Sequence, residues 1–317
     1  MKNIYSNIFN PNNKNIHKGI KALKKNELIG IPTETVYGLA GNAYSNKSVK
    51  KIYKLKGRPA KNPLIIHYAD LNMLKNDAKL NENFFKLYKV FCPGPITFVL
   101  KKNKTSNLSK FATANSNTVA VRFPKNKIAR KILKSLEFPL AIPSANRSTR
   151  VSPVSAINVA EEFKKSLKYI LNGGPSKIGL ESTVVDLTSS PKILRPGFIT
   201  PSQISRKLGK NIIVSNKNKK IKSPGMLKRH YSPGIPMKLN QKKADKNQAF
   251  IVFGKKYKKS NNVFNLSYKS NLNEAAKNLY KTLRLIKDRN YKMIYVSPIP
   301  KNGIGLAIND RLKRAAK

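Results

Sequence analysis

The 317-residue chain has one cysteine, no tryptophan and only 14 acidic residues. A single cysteine, Cys92, excludes an internal disulfide and any cysteine-cluster metal site. The three histidines, His17, His67 and His230, are too scattered for a helical zinc motif. No apolar run reaches the roughly 18 residues that a membrane span needs. Residues 1–15 are polar and Asn-rich, with no apolar core of signal-peptide length. These absences favour a cytoplasmic protein with no membrane role. Nucleotide and nucleophile signatures are missing as well. Gly174-Pro-Ser-Lys-Ile-Gly179 comes nearest to a P-loop but is followed by Leu180-Glu181 instead of Lys and a hydroxyl. Gly303-Ile-Gly305 lies too near the C-terminus to open a dinucleotide-binding βαβ unit, and no G-x-S-x-G elbow occurs.

What the chain has in excess is positive charge: 64 Lys+Arg, for a net +50. Such a surface attracts RNA and phosphate-rich ligands. A compositional origin competes with that reading, because Lys, Asn and Ile are all abundant, as AT-rich codons make them. The lysines also run along the whole chain without forming one patch. Weak, salt-sensitive binding to tRNA or other double-stranded RNA is expected on either reading.

Length suggests about two domains on a prior of ~150 residues each. Helical spacing covers 16–26, and apolar runs mark strands at 28–31, 64–67, 96–100 and 118–124. Val49, Ile52 and Tyr53 give one helix an apolar face, and Gly57 is placed to end it. Helices are expected over 70–79, 82–91 and 126–136, and another is expected to begin at Ser152-Pro153, with Ser as cap. Residues 182–187 and 192–197 read as a hairpin, and 200–208 as a capped helix. Polar, Lys-rich residues 215–224 mark a linker. Beyond about 235, strands at 249–253, 263–266 and 293–296 alternate with a helix over 273–286. That pattern suggests a small α/β unit with a mainly parallel sheet.

Chemistry gathers in the stretch from Ile29 to His67. One strand runs into Pro32-Thr33-Glu34-Thr35-Val36-Tyr37-Gly38, and a basic loop, Lys54 to Pro59, precedes a strand that ends in His67. Across the chain, cations and hydroxyls recur near strand ends: Lys54, Lys56, Arg58, Arg122 and Arg195, with Thr35, Thr118, Ser144, Ser152 and Ser182. Arg grips carboxylates and phosphates through paired hydrogen bonds. The set suits a polyphosphate together with a small polar acid. The same residues also have ordinary roles as solvated lysines, turn and cap serines, and a structural histidine.

The runs PTETVYGLAGNA, KLKGRPAKNPLIIH, CPGPITFVL, VAVRFP, AIPSAN, VSPVSA, ESTVVDL and ILRPG occur in that order. Together they resemble the YrdC-type domain of threonylcarbamoyl-AMP synthases. SPGMLKRHYSP resembles the linker of the two-domain version, and NLNEAAKNLYKTLR and GIGLAINDRLKRAA resemble its C-terminal domain. The resemblance implies an α/β fold with an open twisted sheet and a concave basic face over 1–210. It also implies a linker at 211–236 that closes over the site, and a smaller Rossmann-like α/β domain at 237–317. The implied reaction converts ATP, L-threonine and bicarbonate to threonylcarbamoyl-AMP and pyrophosphate. A downstream threonylcarbamoyl transferase complex then modifies the tRNA adenosine next to the anticodon.

By position in these motifs, Thr35, His67, Arg122 and Ser182 would hold L-threonine. Arg58, Asn62, Thr118, Ile142 (through its backbone), Ser144, Ser152, Arg195 and Tyr231 would hold ATP. Lys54, Lys56 and Arg58 would carry the catalytic charge at the phosphates. Mg²⁺ would accompany ATP, with no dedicated metal site in the protein. Cys92 stands where the family often has an aromatic, and Ala40 where it often has Gly. The last domain looks short for the family. An RNA-binding module is the rival reading. A carbamoyl-phosphate enzyme of the hydrogenase-maturation type is disfavoured, because its acylphosphatase and zinc-finger segments are missing.

Overall fold

The apolar runs fold into two sheets, one for each expected unit. The computed structural model describes residues 5–215 and 230–317. The elements of the first unit are β1 (Ile8–Phe9), α1 (Asn13–Lys24), β2 (Ile29–Ile31), β3 (Gly38–Asn42), α2 (Asn46–Lys56), β4 (Ile65–His67), α3 (Leu71–Lys75), β5 (Ala78–Lys79), α4 (Glu82–Phe91), β6 (Ile96–Lys102), β7 (Thr118–Arg122), α5 (Lys127–Lys134), β8 (Leu140–Ala141), α6 (Ala156–Phe163), β9 (Ile170–Leu171), β10 (Thr183–Asp186), β11 (Lys192–Arg195) and α7 (Pro201–Leu208). The second unit contains β12 (Met237–Leu239), β13 (Ala249–Val252), β14 (Val263–Asn265), α8 (Leu272–Lys287), β15 (Ile294–Val296) and α9 (Gly305–Ala315).

The large sheet runs β1-β9-β2-β3-β8-β4-β7-β6-β10-β11, with β5 paired to β6. It mixes parallel pairs such as β4–β7 with antiparallel ones such as β2–β3 and β6–β7. The small sheet, β12-β15-β13-β14, is parallel throughout, as the strand–helix alternation suggests. Helix α1 buries Ile16, Ile20 and Leu23, which pack with Ile29, Ala129 and Leu133. A larger core including Leu39, Ile52, Ile66, Phe84 and Phe98 joins α2, α4 and the central strands. The core of the second unit reaches into the first: Val36, Val151 and Leu180 belong to the same cluster as Tyr231, Tyr280, Leu283 and Ile308.

Two local expectations need correction, and one strand was not expected. The helix expected over 70–79 stops at Lys75. The buried Asp77 carboxylate accepts from the hydroxyls of Tyr44, Tyr68 and Ser106, and the chain beyond it joins β6 as β5. The helix expected at Ser152 starts later, capped by Ser155, whose side chain accepts from Asn158 N. The unexpected strand is β3, Gly-Leu-Ala-Gly-Asn, which has little strand propensity yet pairs on both edges. Close packing selects its composition: a Cβ on Gly38 would lie 2.1 Å from Ile142 Cγ2. Of the segment expected to link the two units, residues 216–229 lie outside the described residues. This covers most of the SPGMLKRHYSP motif. No helix among the described residues is long and apolar enough to cross a membrane.

Candidate active site

Parallel pairing of β4 with β7 sets His67 directly opposite Arg122. The loop after β2 brings Thr33, Glu34 and Thr35 to the same place. Arg122 Nη2 donates to Glu34 Oε1 at 2.7 Å and to Thr35 Oγ1 at 2.9 Å. Lys125 N donates to the other Glu34 oxygen at 3.0 Å. Arg122 Nε is buried and has no partner among the described residues. His67 is also buried. Burial, and then the charge of Arg122, hold its pKa well below the usual imidazole range. The neutral ring has one N–H, and Nδ1 donates it to Ile65 O at 3.2 Å. His67 Nε2 is therefore an acceptor, and it too is buried without a partner.

The same cavity is lined by Ser182, just before β10, and Arg195, at the end of β11. Arg195 donates through Nε and Nη2 to Ser182 O at 3.1 and 2.9 Å, and through Nη2 to Ser182 Oγ at 3.1 Å. Thr97 Oγ1 pairs with Ser182 Oγ at 2.7 Å. Arg58 is held by its own loop, with donations to Asn62 O at 2.9 Å and Pro63 O at 2.8 Å. Burial brings its pKa down to about 10.

These groups line one cavity of about 40 Å³. Of the 14 residues singled out from sequence, nine are in its lining: Thr35, Arg58, His67, Arg122, Ile142, Ser144, Ser182, Arg195 and Tyr231. The other five are not. Lys54 is exposed and borders a separate surface groove with Lys51, Arg147 and Lys168. Thr118 begins β7, four residues before Arg122, and its hydroxyl pairs with Ser116 at 2.8 Å. Lys56 is buried, and its Nζ donates to the carbonyls of Ser144 and Asn146. Its ammonium therefore fixes the loop that carries Ser144 and is unavailable to a phosphate in this arrangement. Burial, then repulsion from Arg58, lowers its pKa well below the usual lysine value. Asn62 is buried beside Arg58, and both its side-chain polar atoms lack partners. Ser152 Oγ donates to Glu181 Oε1 at 2.6 Å.

The carboxylates of the site were not anticipated. Glu34 and Glu181 each fall inside a quoted motif, and acidic residues are rare in this chain, which was the available signal. Five of the 14 are buried: Glu34, Asp77, Glu162, Glu181 and Asp186. His230 also lines the cavity, edge-on to Tyr231 at a centroid distance of 4.0 Å. No group of three or more metal-ligating side chains occurs among the described residues. Glu181 is the sole carboxylate in the lining, and both its oxygens are engaged.

Fold and cavity define a class: an α/β protein of two sheets with a deep cationic cavity suited to small carboxylates and phosphates. Comparison with known proteins narrows it. The Sua5/YciO/YrdC family model, described as "Telomere recombination", matches residues 21–197, and one described as "Threonylcarbamoyl-AMP synthase, C-terminal domain" matches 199–317. The chain belongs to this family, in its two-domain form. It is 37% identical over 313 residues to the threonylcarbamoyl-AMP synthase of Pyrococcus abyssi, covering 93% of this chain and 92% of that one. With the Bacillus subtilis protein of the same name, identity is 36% over 330 residues, covering 96% and 94%. The crystal structure of P. abyssi Sua5 complexed with L-threonine superposes with a TM-score of 0.87, covering 95% of this chain and 94% of that one at 36% identity.

Proposed function

We propose that this chain is a threonylcarbamoyl-AMP synthase acting as a nucleotidyltransferase: it joins L-threonine, bicarbonate and ATP into threonylcarbamoyl-AMP and releases pyrophosphate. One observation carries the reading. Arg122 and His67 present a buried donor and a buried acceptor without protein partners, side by side, in a cavity whose other end holds Arg58 and Arg195. Buried polar atoms are rarely left unpaired without a functional reason. A donor beside an acceptor fits an amino acid, with its carboxylate toward Arg122 and its ammonium or hydroxyl toward His67 Nε2. Thr35 and Ser182 supply hydroxyls on either side.

In the chemistry we infer, threonine's amine attacks carbon dioxide derived from bicarbonate and loses a proton, giving a carbamate. The carbamate oxygen attacks the α-phosphorus of ATP, and the bond to the leaving pyrophosphate breaks. No covalent enzyme intermediate is required. The protein's contribution is placement of the two reactants and neutralisation of charge at the phosphates by Arg58 and Arg195. Ser144 and the Ile142 backbone, in the lining, would meet the nucleotide, with Asn62 behind Arg58 and Ser152 behind Glu181. Mg²⁺ enters as the counter-ion of ATP, because the lining offers no uncommitted carboxylate. The product would pass to a threonylcarbamoyl transferase acting on tRNA.

A cavity of about 40 Å³ is too small to take both substrates as it stands. Tyr231 and His230 form one wall of it, so the substrates enter when that wall moves. The test is incubation with ATP, bicarbonate and with or without L-threonine. Threonine-dependent pyrophosphate release is the expected result. Tight, salt-resistant RNA binding without turnover would replace the enzyme with a binding module.

A further inference from the structure

Residues 178–182 separate the cavity from the second domain. On the cavity side, the amides of Ile178 and Gly179 donate to Glu34 O at 2.9 Å and Thr35 O at 3.1 Å. On the other side α8 passes so close that a Cβ on Gly179 would lie 2.7 Å from Lys277 Cα, and Gly179 has φ +78°. Two residues further on, Glu181 gathers partners from both domains. It accepts from Ser152 Oγ at 2.6 Å, from Tyr280 OH of α8 at 2.8 Å and from Arg311 Nε of α9 at 2.9 Å. Arg311 is fully buried. It also donates to Asp310 and lies 5.2 Å from the centre of the Tyr231 ring, which stacks on Tyr280 at 5.7 Å.

We propose that Arg311, supplied by the C-terminal domain, is a positioning residue for the nucleotide end of the cavity, acting through Glu181 on Ser152 and through its guanidinium face on Tyr231. This rests on the reading above, in which Ser152 and Tyr231 meet ATP. Ser152 and Tyr280 both donate to Glu181, and the Arg311 guanidinium beside it favours the ionised carboxylate. Burial alone would raise the Glu181 pKa. Arg311, then Arg195, with the two hydroxyl donors, outweigh burial and bring it down to about 2. Without Arg311, the buried carboxyl loses its nearest cation and Tyr231 loses the guanidinium it faces, so neither Ser152, held by Glu181, nor Tyr231 keeps its place in the wall that the nucleotide must meet. A two-domain enzyme thus completes its nucleotide site with a cation from outside the large sheet.

The experiment uses the full chain: calorimetric ATP binding to the wild type, then steady-state pyrophosphate release for Arg311→Met, Glu181→Gln and the double variant. If wild-type protein does not bind ATP, the functional reading fails and this proposal with it. If it does, Arg311→Met is expected to lose at least ~100-fold in kcat/KM for ATP, mainly through KM, with the threonine KM within about twofold. The double variant removes both members of the Arg311–Glu181 pair and is expected to regain at least ~10-fold over Arg311→Met. That recovery remains readable against Glu181→Gln and Arg311→Lys even if Arg311→Met does not fold. A fall in kcat with both KM values unchanged, or a double variant no better than the poorer single one, would overturn the proposal.

Discussion

The two ends of the cavity are built differently. The Arg122 end belongs wholly to the large sheet: β4, β7 and the loop after β2 supply His67, Arg122, Glu34 and Thr35, and Arg122 ties Glu34 and Thr35 together. At the Arg195 end, the hairpin β10–β11 meets Tyr231, α8 and α9, and the central carboxylate is satisfied only by reaching across domains. The first end is preorganised by strand register. The second is assembled from the hairpin, Tyr231 and two helices of the second unit. Such a division suits an enzyme that must hold both a small amino acid and a bulky nucleotide.

The most severe way to disturb the contrast is at the preorganised end. Arg122→Met leaves Glu34 buried without its cation, and we expect a loss of about 3–5 kcal/mol in stability. Urea unfolding measures this; a loss below about 1 kcal/mol would mean that Lys125 N and solvent suffice for Glu34.

Acid comes next, because each end holds one buried neutral histidine. Burial, followed by Arg122, lowers the His67 pKa, and burial brings His230 down to about 3. In the unfolded chain both titrate near 6.5. The folded state therefore binds fewer protons below pH 6.5, so stability is full above that pH and declines as pH falls toward the folded values. Each histidine contributes about 1.4 kcal/mol per pH unit in this window. Urea midpoints between pH 7.5 and 5.5 should fall accordingly, and His67→Gln and His230→Gln should each remove about half of the slope. An unchanged slope in both variants would assign the acid sensitivity elsewhere.

A smaller effect separates binding from stability at the assembled end. The Tyr231 hydroxyl is buried and has no partner among the described residues. Tyr231→Phe should leave stability equal or up to about 1 kcal/mol higher, while ATP affinity falls about tenfold, the worth of one good hydrogen bond. Unchanged ATP affinity would remove the hydroxyl from the nucleotide site. The smallest expected effect is at Lys54. Its side chain is exposed on another surface, so Lys54→Ala should keep kcat/KM within about twofold by the pyrophosphate assay; a tenfold loss would return it to the phosphates.

The preorganised end was the more legible of the two in the sequence. Thr35, His67 and Arg122 lie beside short strands whose ends are marked by apolar runs, and strand pairing then brings them together. Basic residues in loops were harder to place. Lys54 and Lys56 are two positions apart on α2, so they point about 200° apart around the helix. One meets solvent and the other is buried under the Ser144 loop. Thr118 shares a strand with Arg122, but the length of that strand carries it out of the cavity. Glu181 and Arg311 were hidden for a different reason. Their meaning lies in a contact 130 residues apart in sequence, between a strand-end motif and the last helix. The strand Gly38–Asn42 was missed because packing space, more than propensity, determines it.

The central claim is that the two ends bind different partners and can be uncoupled. Calorimetric titration of L-threonine and of ATP into the Arg122→Lys chain tests it directly. Lysine keeps a cation for Glu34 but loses the planar fork that grips a carboxylate. We expect threonine affinity to fall by at least about tenfold, with ATP affinity within about twofold of wild type. Retained threonine binding, or an equal loss for both ligands, would contradict the assignment of the two ends.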